Sequence, residues 1–157
     1  MMKSRVGIAK EKHRSGYNCS QSVVCTYSDL LGMDEEMAFR VSEAYGLGIA
    51  KRFETCGSVC AMMMLAGLKN SDANLENPGS KLATFDLGHK MAGQFEEWNS
   101  TCTCAKLRGT DGAAGRLRSC RGCVADCARI VEDYLFPGQF EPYEKRREDE
   151  DGPVKGQ

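Results

Sequence analysis

The sequence predicts an all-α fold, a compact bundle of five to six helices with cysteine-bearing loops and a disordered, charged C-terminal tail. Apolar residues recur three and four positions apart, helix-capping residues precede these runs, and β-branched and aromatic residues never alternate as they would in a half-buried strand. A chain of 157 residues is long enough to bury one core. We therefore expect a helical domain over residues 1–136 and a flexible tail over 137–157.

Helix boundaries follow from capping residues. Asn18, followed by Gln21, predicts a capping box at the start of the second helix, and Asp34 predicts the cap of the third. The glycine-containing stretch 46–55 is not periodic and is expected to be an ordered loop, as is 99–119. The expected helices span residues 2–14, 19–31, 35–45, 57–68, 81–98 and 120–135.

Two of these helices carry apolar residues that we expect to face the core. On the third helix these are Met37, Ala38, Val41, Ala44 and Tyr45, and on the fifth they are Leu82, Phe85, Leu87, Met91, Phe95 and Trp98.

Composition argues against several classes of partner. The net charge of −1 and the pI near 6.1 give no basic field for nucleic acid, and the apolar run Val59–Leu68 is too short to span a bilayer. The N-terminus shows no signal peptide, so we expect a cytoplasmic protein, in which disulfides are rare. Nine cysteines then point to metal ligation or redox chemistry, and their odd number disfavours a fully paired disulfide framework.

Three cysteines stand at predicted helix starts: Cys19, Cys56 and Cys120. Unpaired amides and the positive end of the helix dipole favour thiolate there, which is the form that binds iron or zinc. With Cys104 from a loop, four segments supply the four ligands that an iron–sulfur cluster requires. The spacings fit neither ferredoxin runs nor a zinc ribbon, so inert or disulfide-forming cysteines remain an alternative.

The other cysteines admit different roles. Cys25 and Cys127 lie mid-helix and are expected to be small core residues. Cys120 and Cys123 form a CxxC pair at a helix start, and Cys56 and Cys60 lie one turn apart, so either pair is a candidate redox dithiol. Each of the two histidines is expected to be a solvated surface residue. The run Met62–Met64 is expected to pack in the core.

Short motifs in a fixed order resemble the redox-active protein family named for its cysteine pattern, C_GCAxxG_C_C. The resemblance covers roughly residues 3–135, and Cys120 opens the last helix as the final cysteine of that family does. The matching stretches are Ser15-Gly-Tyr-Asn-Cys-Ser-Gln-Ser-Val23, Leu31-Gly-Met-Asp-Glu-Glu36, Tyr45-Gly-Leu-Gly-Ile49, Cys56-Gly-Ser-Val-Cys-Ala61, Met64-Leu-Ala-Gly-Leu-Lys69 and Cys104-Ala-Lys-Leu-Arg-Gly109.

The resemblance implies that the four family cysteines fall on Cys19, Cys56, Cys104 and Cys120. A related domain occurs in split-Soret cytochrome c, where such cysteines are associated with an iron–sulfur centre. The chain departs from the pattern at Ser58 and Ala61, where the family has Ala and Gly. It also has five further cysteines, of which Cys60, Cys102 and Cys123 are candidate additional ligands.

From these observations we expect an iron–sulfur protein with a [2Fe–2S] or [4Fe–4S] cluster that carries electrons rather than transforming a substrate. Amides of Gly57 and of the Gly46–Gly48 loop would donate to the sulfurs, and Met62–Leu65 would form an apolar wall. A redox partner protein is expected, and a homodimer is a candidate assembly. A metal-free thiol–disulfide protein or sensor and a zinc-stabilised interaction module are the alternatives.

Overall fold

The prediction of an all-α fold is confirmed. The computed structural model describes residues 1–112 and 115–149, and within them there is no strand beyond isolated bridges at Met2–Phe140 and Thr55–Thr103. The described helices are α1 (Val6–Arg14), α2 (Cys19–Tyr27), α3 (Glu35–Ser42), α4 (Gly57–Asn70), α5 (Lys81–Asn99), α6 (Cys104–Arg108) and α7 (Cys120–Leu135), with 3₁₀ turns at Ser28–Leu31, Glu43–Tyr45 and Arg147–Asp149.

Side-chain caps fix the starts of three helices. At α2, Asn18 Oδ1 accepts from the Gln21 amide at 2.9 Å and Gln21 Oε1 accepts from the Asn18 amide at 3.0 Å, so both halves of the predicted capping box form. Asp34 Oδ1 caps α3 through the Met37 amide at 2.9 Å. Ser119 Oγ caps α7 through the Gly122 amide at 2.9 Å. These bonds satisfy helix-start amides that have no partner within the helix.

Helix α2 lies at the centre of the molecule. Every residue from Ser20 to Tyr27 is buried, and the helix packs against α1, α3, α4 and α7. The Tyr27 hydroxyl donates to Glu132 Oε1 of α7 at 2.8 Å, so this fully buried ring also finds a polar partner. The cysteine that opens α2 therefore belongs to a helix that is buried along almost its whole length.

Several predicted boundaries differ from the observed ones. The α1 helix begins at Val6 instead of residue 2, and Met2 pairs with the segment around Phe140. The second helix tightens into a 3₁₀ turn after Tyr27 and ends at Gly32, whose φ of 80° is left-handed. The expected loop 99–119 contains α6, a five-residue helix too short to show a periodic pattern.

Several residues predicted to be buried are exposed. Leu82 and Phe85 are 68% and 64% exposed, whereas the buried residues of α5 lie from Gly88 onward. Met37 and Val41 are also exposed, and on α3 only Ala38 and Ser42 are buried. For both α3 and α5 the sequence pattern predicts an apolar face, but it does not predict which part of that face packs against another helix.

Part of the predicted tail packs on the helical body. Phe140 lies in the core against Tyr27 and Phe136, and the ring of Tyr143 lies under Lys10 and Arg129. Aromatic residues among the charges of this segment supply the apolar contacts that order residues 137–149. The remainder of the predicted tail, 150–157, lies outside the described residues.

A buried carboxylate ties this segment to the core. Asp126 has no exposed surface and is bonded by Arg118 Nη2 at 3.2 Å, Arg129 Nη1 at 3.3 Å and Arg147 Nε at 3.0 Å. Asn99 Nδ2 adds a bond at 3.0 Å. The carboxylate therefore joins α5, α7, the segment before α7 and the C-terminal segment.

We predict that Asp126→Asn lowers the free energy of unfolding by about 3–5 kcal/mol, because it leaves buried guanidinium groups without their counter-charge. Asp86→Asn, at an exposed position of α5, is the control and should change it by less than about 0.5 kcal/mol. Urea denaturation followed by circular dichroism measures both, and equal midpoints for the two variants would contradict the assignment.

Candidate functional site

Cysteines at four helix starts line one cavity. Cys19, Cys104 and Cys120 are the first residues of α2, α6 and α7, and Cys56 is the residue immediately before α4. The cavity has a volume of about 30 Å³, and Cys123 also lines it. The structure thus brings together all four cysteines that the sequence singled out, and places Cys104 at a helix start rather than in a loop.

Backbone pairing holds two of these cysteines in register. Thr55 lies opposite Thr103 in an antiparallel bridge, in which the Cys56 amide donates to the Cys102 carbonyl at 2.8 Å and the Cys104 amide donates to the Glu54 carbonyl at 2.5 Å. The starts of α4 and α6 are therefore fixed relative to each other by main-chain hydrogen bonds.

Gly57 allows the sulfur of Cys19 to approach α4. A Cβ atom at Gly57 would lie 2.6 Å from Cys19 Sγ and 2.6 Å from the Tyr45 carbonyl oxygen, distances that real Cβ contacts do not reach. Only glycine permits this contact between the starts of α2 and α4.

A left-handed segment forms another side of the site. Five consecutive residues have positive φ: Leu47 (53°), Gly48 (65°), Ile49 (68°), Ala50 (51°) and Lys51 (66°). This conformation costs roughly 1–2 kcal/mol for each non-glycine residue. It is held by bonds from the Ala50 amide to the Ala44 carbonyl at 2.8 Å and from the Glu54 amide to the Gly48 carbonyl at 3.0 Å. Strain of this kind persists where the surroundings enforce it, and here it directs the Leu47 amide at the sulfur of Cys19.

The thiols of the cavity differ in acidity. Burial, and then the charge of Cys56, raise the pKa of Cys19 to about 12, although the Leu47 amide opposes this shift. Burial and Cys56 likewise raise the pKa of Cys104 to about 11. Hydrogen bonds from the Cys123 thiol and then from the Ser58 and Val59 amides lower the pKa of Cys56, against its burial. The surroundings of Cys56 therefore favour its thiolate form.

A cation lies against a fourth sulfur. Arg108 Nη1 donates to Cys120 Sγ at 3.0 Å, and Arg118, which is paired with Asp126, also lines the cavity. The contact of Arg108 places a positive charge where it offsets negative charge on the Cys120 sulfur.

The apolar wall differs from the expected one. Leu47 and Leu107 line the cavity, whereas Met62 and Leu65 lie in the core, and Met63 and Met64 are only partly buried. The run that follows Cys56 in sequence faces away from the cavity because the helix turns its side chains toward α2 and α5.

The remaining cysteines do not line the cavity, with one exception. Cys25 and Cys127 are buried, as predicted, and Cys60 and Cys102 are half-buried beside the cavity. Cys123 is the exception, and its thiol donates a hydrogen bond to the sulfur of Cys56. The CxxC spacing identified Cys123, but with Cys120 as its partner.

The sulfurs that line the cavity are of the kind that binds iron or zinc as thiolates. Five sulfurs surround a space larger than the roughly 10–15 Å³ that one water needs, with amide donors at two of them. In the described parts of the chain, no three His, Cys, Asp or Glu side chains already stand in a metal-binding arrangement. Ligation would therefore require the cysteine side chains to turn toward the centre of the cavity.

We predict that Gly57→Ala lowers the free energy of unfolding by about 1–3 kcal/mol and increases the alkylation rate of Cys19, because the new methyl group must displace its sulfur. Gly67→Ala is the matched control in the same helix, since a Cβ there meets nothing within 4 Å. Denaturation and peptide mapping of alkylated cysteines measure both effects. An unchanged Cys19 in Gly57→Ala would refute the steric role.

One protein family matches this chain in sequence. The family model described as "Putative redox-active protein (C_GCAxxG_C_C)" matches residues 17–134, a stretch that contains all five cysteines of the cavity. No curated protein and no solved structure matches the chain. No helix in the described parts is long and apolar enough to cross a membrane. Since the match spans well over half of the sequence, the chain belongs to the C_GCAxxG_C_C protein family.

Proposed function

We propose that this protein binds an iron–sulfur cluster through Cys19, Cys56, Cys104 and Cys120 and takes part in electron transfer. The observation that supports this proposal is the convergence of four helix starts, each with one of these cysteines, on a single cavity. Four cysteine thiolates are the ligand set of [2Fe–2S] and [4Fe–4S] clusters.

Bound there, the cluster would supply a centre that gains and loses one electron. The chain would supply the environment that sets its potential, through hydrogen bonds to the sulfurs, charge and limited solvent access. The Leu47 amide donates a hydrogen bond to the sulfur of Cys19, and the Ser58 and Val59 amides donate to the sulfur of Cys56. Arg108 offsets negative charge at Cys120.

An electron carrier needs a protein that delivers or accepts the electron, so a redox partner is part of the proposal. Cys19 and Cys120 are the two of the four residues that are not fully buried, so such a partner would approach from the side where α2 and α7 begin. We retain a cytoplasmic setting and a homodimer as parts of the same proposal.

We predict that anaerobic reconstitution of the full chain with iron and sulfide gives a brown protein whose visible absorbance bleaches on reduction. Serine substitution of any of the four cysteines should remove most of the bound iron, because each supplies one ligand. Cys25→Ala is the control, since Cys25 is buried but does not line the cavity. Iron and acid-labile sulfide analysis gives the result.

Retention of iron by all four serine variants would refute the ligand assignment. Zinc without iron or sulfide would support the zinc-stabilised module instead. A colourless protein that resists reconstitution would favour metal-free thiol chemistry.

A second prediction concerns the number of protons released when a metal ion binds. The thiols of Cys19 and Cys104, with pKa values of about 12 and 11, carry their protons at neutral pH, so binding of a thiolate-seeking metal must displace both. Affinity should rise about tenfold per pH unit for each proton displaced. Calorimetric titration with Zn²⁺ or Cd²⁺ in buffers of different ionisation enthalpy counts these protons.

We expect at least two protons released per metal ion near pH 7, and the same number for Cys25→Ala. Release of fewer than two would show that Cys19 and Cys104 do not both become ligands.

A further inference from the structure

Basic side chains from three segments line one hollow at the start of α7. Lys10 and Arg14 belong to α1, Arg121 belongs to α7, and Lys145 belongs to the C-terminal segment 137–149. The hollow has a volume of about 250 Å³. We call these four side chains and the hollow between them the basic face. Because the three segments lie far apart in the chain, only the tertiary structure brings these charges together.

The basic face has an excess of positive charge that its own acid does not cancel. Among the described residues that line it, Glu11 is the one carboxylate, and Arg14 binds it through Nε at 3.1 Å and Nη2 at 2.7 Å. Four cationic side chains and one carboxylate leave a formal charge of +3, whereas the whole chain carries −1. In the described parts of the chain, the buried Nε of Arg121 has no hydrogen-bond partner. A surface of this sign attracts a negatively charged partner.

The C-terminal segment holds its lysine in a defined place on this face. The Lys145 carbonyl accepts a hydrogen bond from Arg129 Nη2 at 3.2 Å. The ring of Tyr143 lies between two cations, with its centroid 5.2 Å from Arg129 Cζ and 5.9 Å from Lys10 Nζ. These contacts fix the segment against α1 and α7, so the position of Lys145 relative to the other cations is set by the fold.

The size and lining of the hollow favour the surface of an acidic protein over a small anion. Pockets for small molecules usually enclose about 300–1,000 Å³ and are mostly apolar. This hollow is smaller, and its lining is mostly charged. Arg14 and Lys145 are exposed, with 68% of the Arg14 side chain accessible to solvent. Exposed cations at a rim steer an approaching partner, whose carboxylates contact them without leaving water.

The basic face adjoins the cysteine cavity. Arg121 directly follows Cys120, and the Cα atoms of consecutive residues are about 3.8 Å apart. Cys120 lines the cavity and is not fully buried. A partner seated on the basic face would therefore lie next to one of the four proposed ligands.

We propose that the basic face docks the acidic surface of the redox partner, with carboxylates of the partner bound by Arg121 and Lys145 beside Cys120. The redox role of this partner rests on the proposed function, whereas the docking itself does not. The experiment below reads no iron, so its failure and the failure of reconstitution are separate results.

The test titrates the full chain with a fluorescein-labelled peptide of eight glutamates and follows the fluorescence anisotropy of the peptide. The salt concentration is about 0.1 M, where the Debye length of about 10 Å confines electrostatic effects to the surface that binds. The double variant Arg121→Glu, Lys145→Glu should bind the peptide at least about tenfold more weakly, because attraction becomes repulsion at two positions. The matched control is Lys81→Glu, Lys90→Glu, at two exposed positions of α5 that do not line the hollow. It changes the net charge by the same amount and should weaken binding by less than about twofold.

Carbodiimide cross-linking, which joins lysine amines to carboxylates, locates the bound peptide. We expect links at Lys10 and Lys145 of the unsubstituted chain and none at Lys81 or Lys90, and this result decides the question even if the first double variant unfolds. Equal weakening by the two double variants, or links spread over all four lysines, would overturn the proposal.

Two further probes separate an acidic protein from other anionic partners. Inorganic phosphate, added at constant ionic strength, should leave the peptide bound, and displacement would assign the face to a small anion. Vesicles of phosphatidylcholine and phosphatidylserine should not bind the chain. Vesicle binding that is lost only in Arg121→Glu, Lys145→Glu would assign the face to a membrane surface. Either of these results would overturn the proposal.

Discussion

The contact between the starts of α2 and α4 is the constraint on which the rest of the site depends. It places Cys19 Sγ where any side chain on residue 57 would lie, so glycine at this position sets how closely two helix starts approach. The bridge between Thr55 and Thr103 then brings Cys104 to the same place, and the first turn of α7 adds Cys120 and Cys123. A cavity lined by five sulfurs follows from a few main-chain contacts.

The site contains backbone strain that the rest of the fold must offset, because the left-handed residues from Leu47 to Lys51 are in an unfavourable conformation. Compensation comes from the apolar packing around α2 and from Asp126, whose arginine partners tie together segments distant in sequence. Strained backbone that is held in place by well-packed surroundings is common where a protein positions reactive groups.

The proposed cluster ligation and the alternative, metal-free thiol chemistry would use the same electrostatic environment. Amide donors that lower the pKa of Cys56 favour the thiolate form that either chemistry needs. Cys123 lines the same cavity and has no counterpart in the four-cysteine pattern. The family description as redox-active is compatible with either chemistry.

The sequence alone was enough to predict the all-α class and the starts of α2 and α3, because capping by Asn18 and Asp34 is a local interaction among residues a few positions apart. It also singled out Cys19, Cys56, Cys104 and Cys120 through motif order. Only the tertiary structure decided that these cysteines share a cavity with Cys123, that Leu82 and Phe85 are exposed, and that residues 137–149 pack on the body. Those outcomes depend on contacts between residues far apart in the chain, which no local pattern encodes.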